Sequence, residues 1–399
     1  MNSTIRADRL HIGIFGKRNA GKSSLINAIT GQDTALVSKI AGTTTDPVYK
    51  SMEISPIGPI VIIDTPGIDD TGDLGSMRVK KTKEILRKVD IAIIVVSHDA
   101  PWDKNEYDLS SALSKANIPY IIAINKWDEN KEYKIPEHIP KVPIIYTSAK
   151  DNYGIQKLIS EICKLKSPDD NMMHLVDGLI DTGDTAILVV PIDNAAPKGR
   201  LILPQQQVIR DILDHNAYAI ITKPDGLKDI LQSLKTSPNV VITDSQAFSY
   251  VDKIVPSSIF LTSFSILFAR YKGDLRLFYE GIKSIDNLKD GDCILISEGC
   301  THHRQDDDIG KVKIPNMLLE KTGKKLKFKH TSGGFFEEDI SSYALIVHCG
   351  ACMLNKKEME YRQSLASRED IPMVNYGMVL AYGTGILKRA LKPFEDEIL

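Results

Sequence analysis

Residues Gly16-Lys17-Arg18-Asn19-Ala20-Gly21-Lys22-Ser23 fit the spacing G-x-x-x-x-G-K-[ST], whose chemistry is phosphate binding. The glycines let backbone N–H groups wrap phosphate oxygens, Lys22 sets a point charge at the β and γ oxygens, and the Ser23 hydroxyl is placed to ligate Mg2+. Ala20 and, just past the run, Ser24 join Gly16, Asn19, Gly21, Lys22 and Ser23 as expected nucleotide contacts. The run follows the apolar stretch His11 to Phe15 and opens a helical pattern, the strand-to-helix junction that this chemistry needs.

Three later motifs decide which nucleotide is bound. Asp64-Thr65-Pro66-Gly67 ends an apolar run, where Asp64 can reach Mg2+ through water and the Gly67 N–H can meet a γ-phosphate. Asn125-Lys126-Trp127-Asp128 ends another and resembles the guanine-reading motif of GTPases. A carboxylate at Asp128 accepts two hydrogen bonds, from guanine N1–H and N2–H2, whereas adenine lacks that donor pair. Thr147-Ser148-Ala149-Lys150 matches the last motif of the same superfamily, so Ser148, Ala149 and Lys150 join Asn125, Lys126 and Asp128 as expected base contacts. Four motifs in this order predict GTP and GDP as ligands.

The resemblance narrows to the translation-factor-like bacterial GTPases, which include tRNA-modification and ribosome-assembly members. Ala41-Gly42-Thr43-Thr44-Thr45-Asp46 looks like their first switch, with Thr44 at the position that ligates Mg2+ in the GTP state. Asn19 stands where K+-activated members carry an asparagine that coordinates the monovalent cation, which implies K+ beside the β–γ bridge. Lys22, Thr44, Asp64, Gly67 and Asn19 are the expected catalytic set. Ile68 follows Gly67 where Ras-type enzymes carry a water-orienting glutamine. Intrinsic hydrolysis is therefore expected to be slow and to depend on a cation, a dimer or a partner. Residues 32 to 46 and 67 to 78 are the segments expected to order with nucleotide.

A second chemistry is written in Cys300-Thr301-His302 and His348-Cys349-Gly350-Ala351-Cys352, with about 45 residues between the two histidines. Each group follows an apolar run, Cys293 to Ser297 and Tyr343 to His348. If those runs are parallel neighbours, both groups emerge at one carboxyl edge, where α/β ligand crevices form. Three sulfurs plus a variable fourth ligand suit an iron-sulfur cluster with one exchangeable iron. The same set makes a Cys3His zinc site, and isolated reduced thiols are the third reading. His302, His348 and the acidic run Asp306-Asp307-Asp308 are candidates for the fourth position, although the acidic run reads first as a solvated loop. Cys163 shares helical spacing with Ile155, Leu158, Ile159 and Ile162, and Cys293 opens an apolar strand, so both read as packed hydrophobes.

A GTPase followed by Cys-x-His and then His-Cys-x-x-Cys resembles the HydF family of FeFe-hydrogenase maturation GTPases, over the whole chain. The resemblance implies a 4Fe-4S cluster held by Cys300, Cys349 and Cys352, with His302 and His348 as labile ligands or outer groups. It also implies a homodimer made by the middle domain. The function it implies is a scaffold and carrier that takes a diiron precursor from two radical-SAM maturases and delivers it to the apo FeFe-hydrogenase.

The elements that must position these residues read as an α/β chain, an N-terminal P-loop GTPase domain followed by two smaller parallel-sheet α/β domains. Strands are expected at Leu10–Phe15, Ile60–Ile63, Ile91–Val96, Tyr120–Ile124 and Ile144–Tyr146, with helices at Lys22–Thr30, Val79–Arg87 and Ile155–Leu165. A polar break with proline, Lys166-Ser167-Pro168-Asp169-Asp170, closes this GTP-binding domain at residue 167. A second alternation, with strands near Ala186, Tyr218, Val240 and Ile259, fills a dimerisation domain over 168–262. The iron-sulfur domain spans 263–399, from the amphipathic stretch Ile266–Ile282 to helices near Lys356–Ala366 and Met378–Leu391.

At 399 residues, 26% charged and 42% hydrophobic, the chain is long enough for several cores and has ordinary globular composition. Fifty basic against 52 acidic residues leave a formal charge of −2, which favours neither nucleic acid nor an anionic membrane as partner. No apolar stretch reaches the roughly 18 residues of a spanning helix, and the N-terminus lacks a signal-peptide core, so a cytoplasmic protein is expected. Five cysteines are too few and too unevenly spaced for a disulfide framework. The rival reading is a K+-dependent RNA-binding GTPase of ribosome assembly or tRNA modification. It lacks a basic GXXG loop or an aromatic RNP pattern to carry it. The lysines from Lys321 to Lys329 read as a solvated turn and strand edge.

Overall fold

In the computed structural model the described residues are 7, 9–31, 48–55, 57–68, 84–100, 102–129, 139, 141–165, 173–192, 201–299, 308–333 and 336–399. The chain divides into two compact units, 1–171 and 172–399.

The first unit is built on β1 (Leu10–Gly16), β2 (Val48–Ile54), β3 (Gly58–Asp64), β4 (Ile91–Ser97), β5 (Tyr120–Asn125) and β6 (Ile144–Tyr146), in the order β2-β3-β1-β4-β5-β6. All neighbours are parallel except β2, which runs antiparallel to β3. The run Ile-Ala-Ile-Ile-Val-Val of β4 and the equally apolar β5 are buried throughout, as central parallel strands covered on both faces must be. Helices Lys22–Thr30 and Ile155–Leu165 cover one face through Leu25, Ile26, Leu158 and Ile162, and Cys163 packs at the rim of that core. Helix Lys104–Lys115 covers the other through Leu109 and Leu113. Asp103 caps that helix by accepting from Asn105 N, and the Glu106 carboxylate accepts from Asp103 N, a capping box that fixes where the helix starts. The expected strands and two of the expected helices are present. Of Val79–Arg87, residues 79–83 lie outside the described residues.

The second unit holds two parallel four-stranded sheets. One comprises β7 (Thr185–Val189), β8 (Tyr218–Thr222), β9 (Val240–Thr243) and β10 (Phe260–Ser263), in the order β10-β9-β7-β8. The other comprises β11 (Cys293–Ser297), β12 (Lys327–Thr331), β13 (Leu345–His348) and β14 (Met373–Asn375), in the order β12-β11-β13-β14. One hydrophobic core runs through both, from Val176 and Val240 through Phe268 and Phe278 to Val347 and Phe394. The expected boundary at residue 262 falls within this unit, at the end of β10.

One amphipathic stretch resolves into two helices, and one long helical expectation is corrected. Ile266–Ile282 is broken into helices Phe264–Lys272 and Leu275–Ser284, because the Asp274 side chain accepts from Arg276 N and Leu277 N and starts the second helix afresh. Met378–Leu391 is broken into Tyr376–Gly383 and Leu387–Leu391, with Gly385 at φ 82 between them. Two arginines then tie the C-terminal segment to the first of the two sheets. Arg389 donates to Asp252 Oδ1 at 2.6 Å and to Val255 O at 2.7 Å, and Arg270 joins Glu397 to the carbonyl of Asp177.

The segment that opens the second unit is clasped by imidazole. His215 Nδ1 donates to Asp211 O at 2.8 Å and Nε2 to Asp177 Oδ1 at 2.9 Å, so both ring nitrogens face acceptors, the pattern of the protonated ring. Burial, the largest influence, pushes its pKa down, but the Asp211 carbonyl and the Asp177 carboxylate outweigh it and raise the pKa above 6.5. A raised folded pKa contributes stability that is complete below the unfolded value and is lost as pH rises through the folded value. Thermal stability of the wild type is therefore expected to fall as pH is raised from about 6.5, and Asp177→Asn to flatten that slope. Differential scanning fluorimetry across the range checks it, and identical slopes in both proteins would refute the clasp.

Candidate nucleotide and metal sites

The phosphate loop joins β1 to helix Lys22–Thr30. A Cβ on Gly16 (φ 153) would stand 2.3 Å from Val95 O, and one on Gly21 (φ 87) 2.2 Å from Asn125 Nδ2, so the loop requires glycine at both ends. Asn19 holds the left-handed turn between them at φ 61. Lys22 Nζ donates to Gly16 O at 2.9 Å and to Lys17 O at 2.8 Å, so the loop curls around its own lysine. Ile68 N donates to Gly16 O at 3.3 Å, which holds the residue after Gly67 against the same loop. Thr44 and residues 32–46 lie outside the described residues, as do 69–78.

Ser23 and Asp64 meet because β1 and β3 are parallel neighbours. Ser23 Oγ donates to Asp64 Oδ2 at 3.0 Å. Burial pushes the Asp64 carboxyl up, and the Ser23 hydroxyl, Lys22 and Lys50 pull it back only in part. A carboxylate in that position gains from a cation in front of it. Sequence reasoning missed Lys17, whose Nζ reaches Asp103 Oδ2 at 2.8 Å and the buried Glu106 at 3.2 Å, tying the loop to helix Lys104–Lys115. Glu106 lies on an otherwise apolar helical face, and that was the available signal.

Asn125 organises the base-proximal side. It is buried, its Nδ2 donates to Ala20 O at 3.2 Å, and its Oδ1 accepts from Thr147 Oγ1 and Ala149 N, each at 3.3 Å. One amide thus holds the phosphate loop and the Thr147–Lys150 turn together. Asp128 Oδ1 accepts from Ser148 Oγ at 2.7 Å, and Lys150 Nζ is 3.8 Å from Oδ2. The Ser148 bond is the main reason the Asp128 carboxyl stays below the usual aspartate range, so it is an ionised acceptor. Lys126, at φ 60, pairs with Asp99 at 3.9 Å.

In the second unit, β11 and β13 are parallel neighbours with Ser297 opposite His348. Their continuations converge. Gly299 N donates to Cys349 Sγ at 3.1 Å and Ala351 N to the same sulfur at 3.4 Å. Cys300 is the next residue after Gly299. Cys300, His302, Asp306 and Asp307 lie outside the described residues, and among the described residues no three His, Cys, Asp or Glu side chains are grouped to hold a metal ion. Cys349 and Cys352 line a crevice of about 300 Å3 with Glu298, Tyr376, Phe264 and Phe268. Burial pushes the Cys349 thiol up, and the two amide bonds oppose it. Cys293 packs against the core instead, away from this role.

His348 is fully buried behind Cys349. Its Nε2 faces Arg362 Nη1 at 3.0 Å; arginine can only donate, so Nδ1 carries the proton and donates to Cys349 O at 2.8 Å. Burial first, and then the Arg362 charge, hold its pKa at about 3. Both ring nitrogens are thus engaged within the protein, behind the loop. Lys272, also buried, donates to Leu354 O at 2.5 Å and anchors the far end of the same loop.

Comparison with known proteins agrees with this layout. Residues 11–126 match the family model described as 50S ribosome-binding GTPase, 175–273 the hydrogen maturase F dimerization domain, and 276–393 the hydrogen maturase F tetramerization domain. The GTPase Der of Wolinella succinogenes is 33% identical over 168 residues, covering 39% of this chain and 36% of that protein. The tRNA modification GTPase MnmE of Heliobacterium modesticaldum is 34% identical over 170 residues, covering 41% and 36%. The chain therefore spans about a third of the length of these curated relatives. Among solved structures, the G domain of the T. maritima FeoB iron transporter is 24% identical, covering 39% of this chain and 98% of that one, with a TM-score of 0.31. Fold and sites together define a P-loop GTPase-type domain carrying two parallel-sheet α/β domains. The chain belongs to the hydrogen maturase F family.

The Asn125 hub carries a stability expectation. Asn125→Ala leaves the Ala149 N–H and the Thr147 hydroxyl without their acceptor, and should cost about 1–3 kcal/mol in the first unit along with weaker guanine-nucleotide binding. Urea titration followed by Trp102 and Trp127 fluorescence measures it, and an unchanged midpoint would contradict the hub.

Proposed function

We propose that the chain is a slow GTP hydrolase that serves as an iron-sulfur scaffold and carrier in FeFe-hydrogenase maturation. The observation that carries the scaffold half is the Gly299 amide on the Cys349 sulfur, which brings the peptide leading into Cys300 to the Cys349-x-x-Cys352 loop. Backbone N–H donors on a sulfur favour its thiolate, and three thiolates leave one iron of a 4Fe-4S cluster open to exchange. Cys300, Cys349 and Cys352 would hold that cluster, which would supply an exchangeable iron as the docking point for a diiron cargo. His348, Arg362 and Lys272 would fix the loop from behind. Glu298 and Tyr376 face the crevice in which the cargo would sit. His302 and the acidic residues up to Asp308 are the remaining candidates for the fourth position.

In the first unit, the proposed chemistry needs Lys22 and the loop amides on the β and γ oxygens, Ser23, Asp64 and Thr44 on Mg2+, and Gly67 on the γ-phosphate. Asn19 would bind K+ beside the β–γ bridge. Asp128 would read guanine, with Lys126, Ser148, Ala149 and Lys150 closing around the base. The proposed partners are the apo-hydrogenase and the two radical-SAM maturases, in the cytoplasm. Residues 175–393 match hydrogen maturase F models, which favours this reading over an RNA-binding GTPase.

We further assign residues 168–262 to dimerisation and 263–399 to the cluster. The family models name both parts of the second unit as self-association domains. Strand β8 is an edge whose Tyr218 and Ile221 are 65% and 45% exposed. An uncharged edge of that kind invites pairing with a second copy. Tyr218→Asp with Ile221→Lys is expected to yield monomers in light scattering; a dimer unchanged in both size and dilution behaviour would refute the assignment.

The scaffold is tested by anaerobic reconstitution. Wild type should bind about four irons per chain, and the Cys300, Cys349 and Cys352 triple Ala variant should lose them while still hydrolysing GTP. Lys22→Ala should do the reverse. Full iron in the triple variant, or loss of iron with Lys22→Ala, would overturn the separation of the two activities.

A further inference from the structure

Lys50 is the residue whose position the proposed chemistry leaves unexplained. It lies on β2, the antiparallel edge strand that follows the first switch segment in sequence. Register pairs Val48 with Asp64 and Lys50 with Ile62, so Lys50 and Asp64 are diagonal neighbours on one face of the sheet. That face also carries helix Lys22–Thr30, on which Ser23 bonds Asp64. The Lys50 ammonium is shielded from water and has no hydrogen-bond partner among the described residues. A buried ammonium without a hydrogen-bond acceptor is costly, and its compensation here is the field of the Asp64 carboxylate.

We propose that Lys50 is a positioning residue that stands in for the divalent cation at Asp64 and opposes Mg2+ when nucleotide arrives. With the site free, Lys50 balances the Asp64 charge and keeps the Ser23–Asp64 pair closed. Ser23 and Asp64 would hold Mg2+, whose double positive charge would then oppose the Lys50 ammonium. Because Lys50 sits on β2, that repulsion acts on the strand directly joined to the first switch. This rests on the reading of Ser23 and Asp64 as the Mg2+ site, and it adds a cost that none of the motif residues supplies.

The test uses the full chain and a fluorescent GDP analogue, with nucleotide release followed as Mg2+ is titrated. Lys50→Met is expected to lower the half-saturating Mg2+ concentration on the order of tenfold, the scale of one screened charge pair. Lys50→Arg, which keeps the charge, is expected to stay near wild type. A variant that merely folds badly would need more Mg2+, so the direction separates the two causes. If Lys50→Met binds nucleotide with unchanged or weaker Mg2+ dependence, the inference is overturned while the site stands. If nucleotide release from wild type is itself indifferent to Mg2+, the Ser23–Asp64 reading fails first.

Discussion

Parallel pairing of β11 with β13 is the constraint on which the second unit's chemistry depends. A parallel neighbour forces both strands to end at the same edge, so whatever follows Ser297 must meet whatever follows His348. The Gly299 amide 3.1 Å from Cys349 Sγ is the direct consequence. Two stretches of sequence far apart in the chain thereby become one short cradle, and the sulfur is met by dipoles instead of by side-chain charge. The positive groups, Lys272 and Arg362, act one layer back, on the carbonyl of Leu354 and on His348. Such a loop is anchored from behind, which suits the metal-carrier role proposed above.

The same edge logic builds the first unit. Asp64 and Asn125 end β3 and β5 at the carboxyl edge, and the phosphate loop follows β1 between them. Asn125 then ties the loop to the Thr147–Lys150 turn, so phosphate and base ends of a nucleotide site are set by one buried amide. Charge does the remaining work. Burial pushes the Asp64 carboxyl up against the opposing pull of Ser23, Lys22 and Lys50, and the Ser148 hydroxyl holds the Asp128 carboxyl down.

Much of this was legible in the sequence because apolar runs without interruption mark central parallel strands. β1, β3, β4, β5, β7, β9 and β11 fall where such runs lie, and the four nucleotide motifs fall at the ends of β1, β3, β5 and β6. The strands that escaped were edges. β2 carries Lys50, Ser51 and Glu53, β12 is Lys-Phe-Lys-His-Thr, and β14 has three residues, so none shows a buried run. Helix Lys104–Lys115 escaped because its apolar positions are few and its start is set by a capping box. In the sites, residue types were readable but partners were not. Nothing in the spacing of His348 says that Arg362 will occupy one ring nitrogen and the Cys349 carbonyl the other. Lys17 and Lys50 belong to the same class, since their roles come from carboxylates brought close only by the sheet.

The central claim is that three sulfurs hold a cluster with one iron left open. Electron paramagnetic resonance of the reconstituted, reduced wild-type protein, recorded before and after adding imidazole as an external donor, addresses it most directly. The account predicts a cluster signal whose line shape changes as the donor takes the open position. A colourless zinc protein, or a cluster signal indifferent to the added donor, would contradict it.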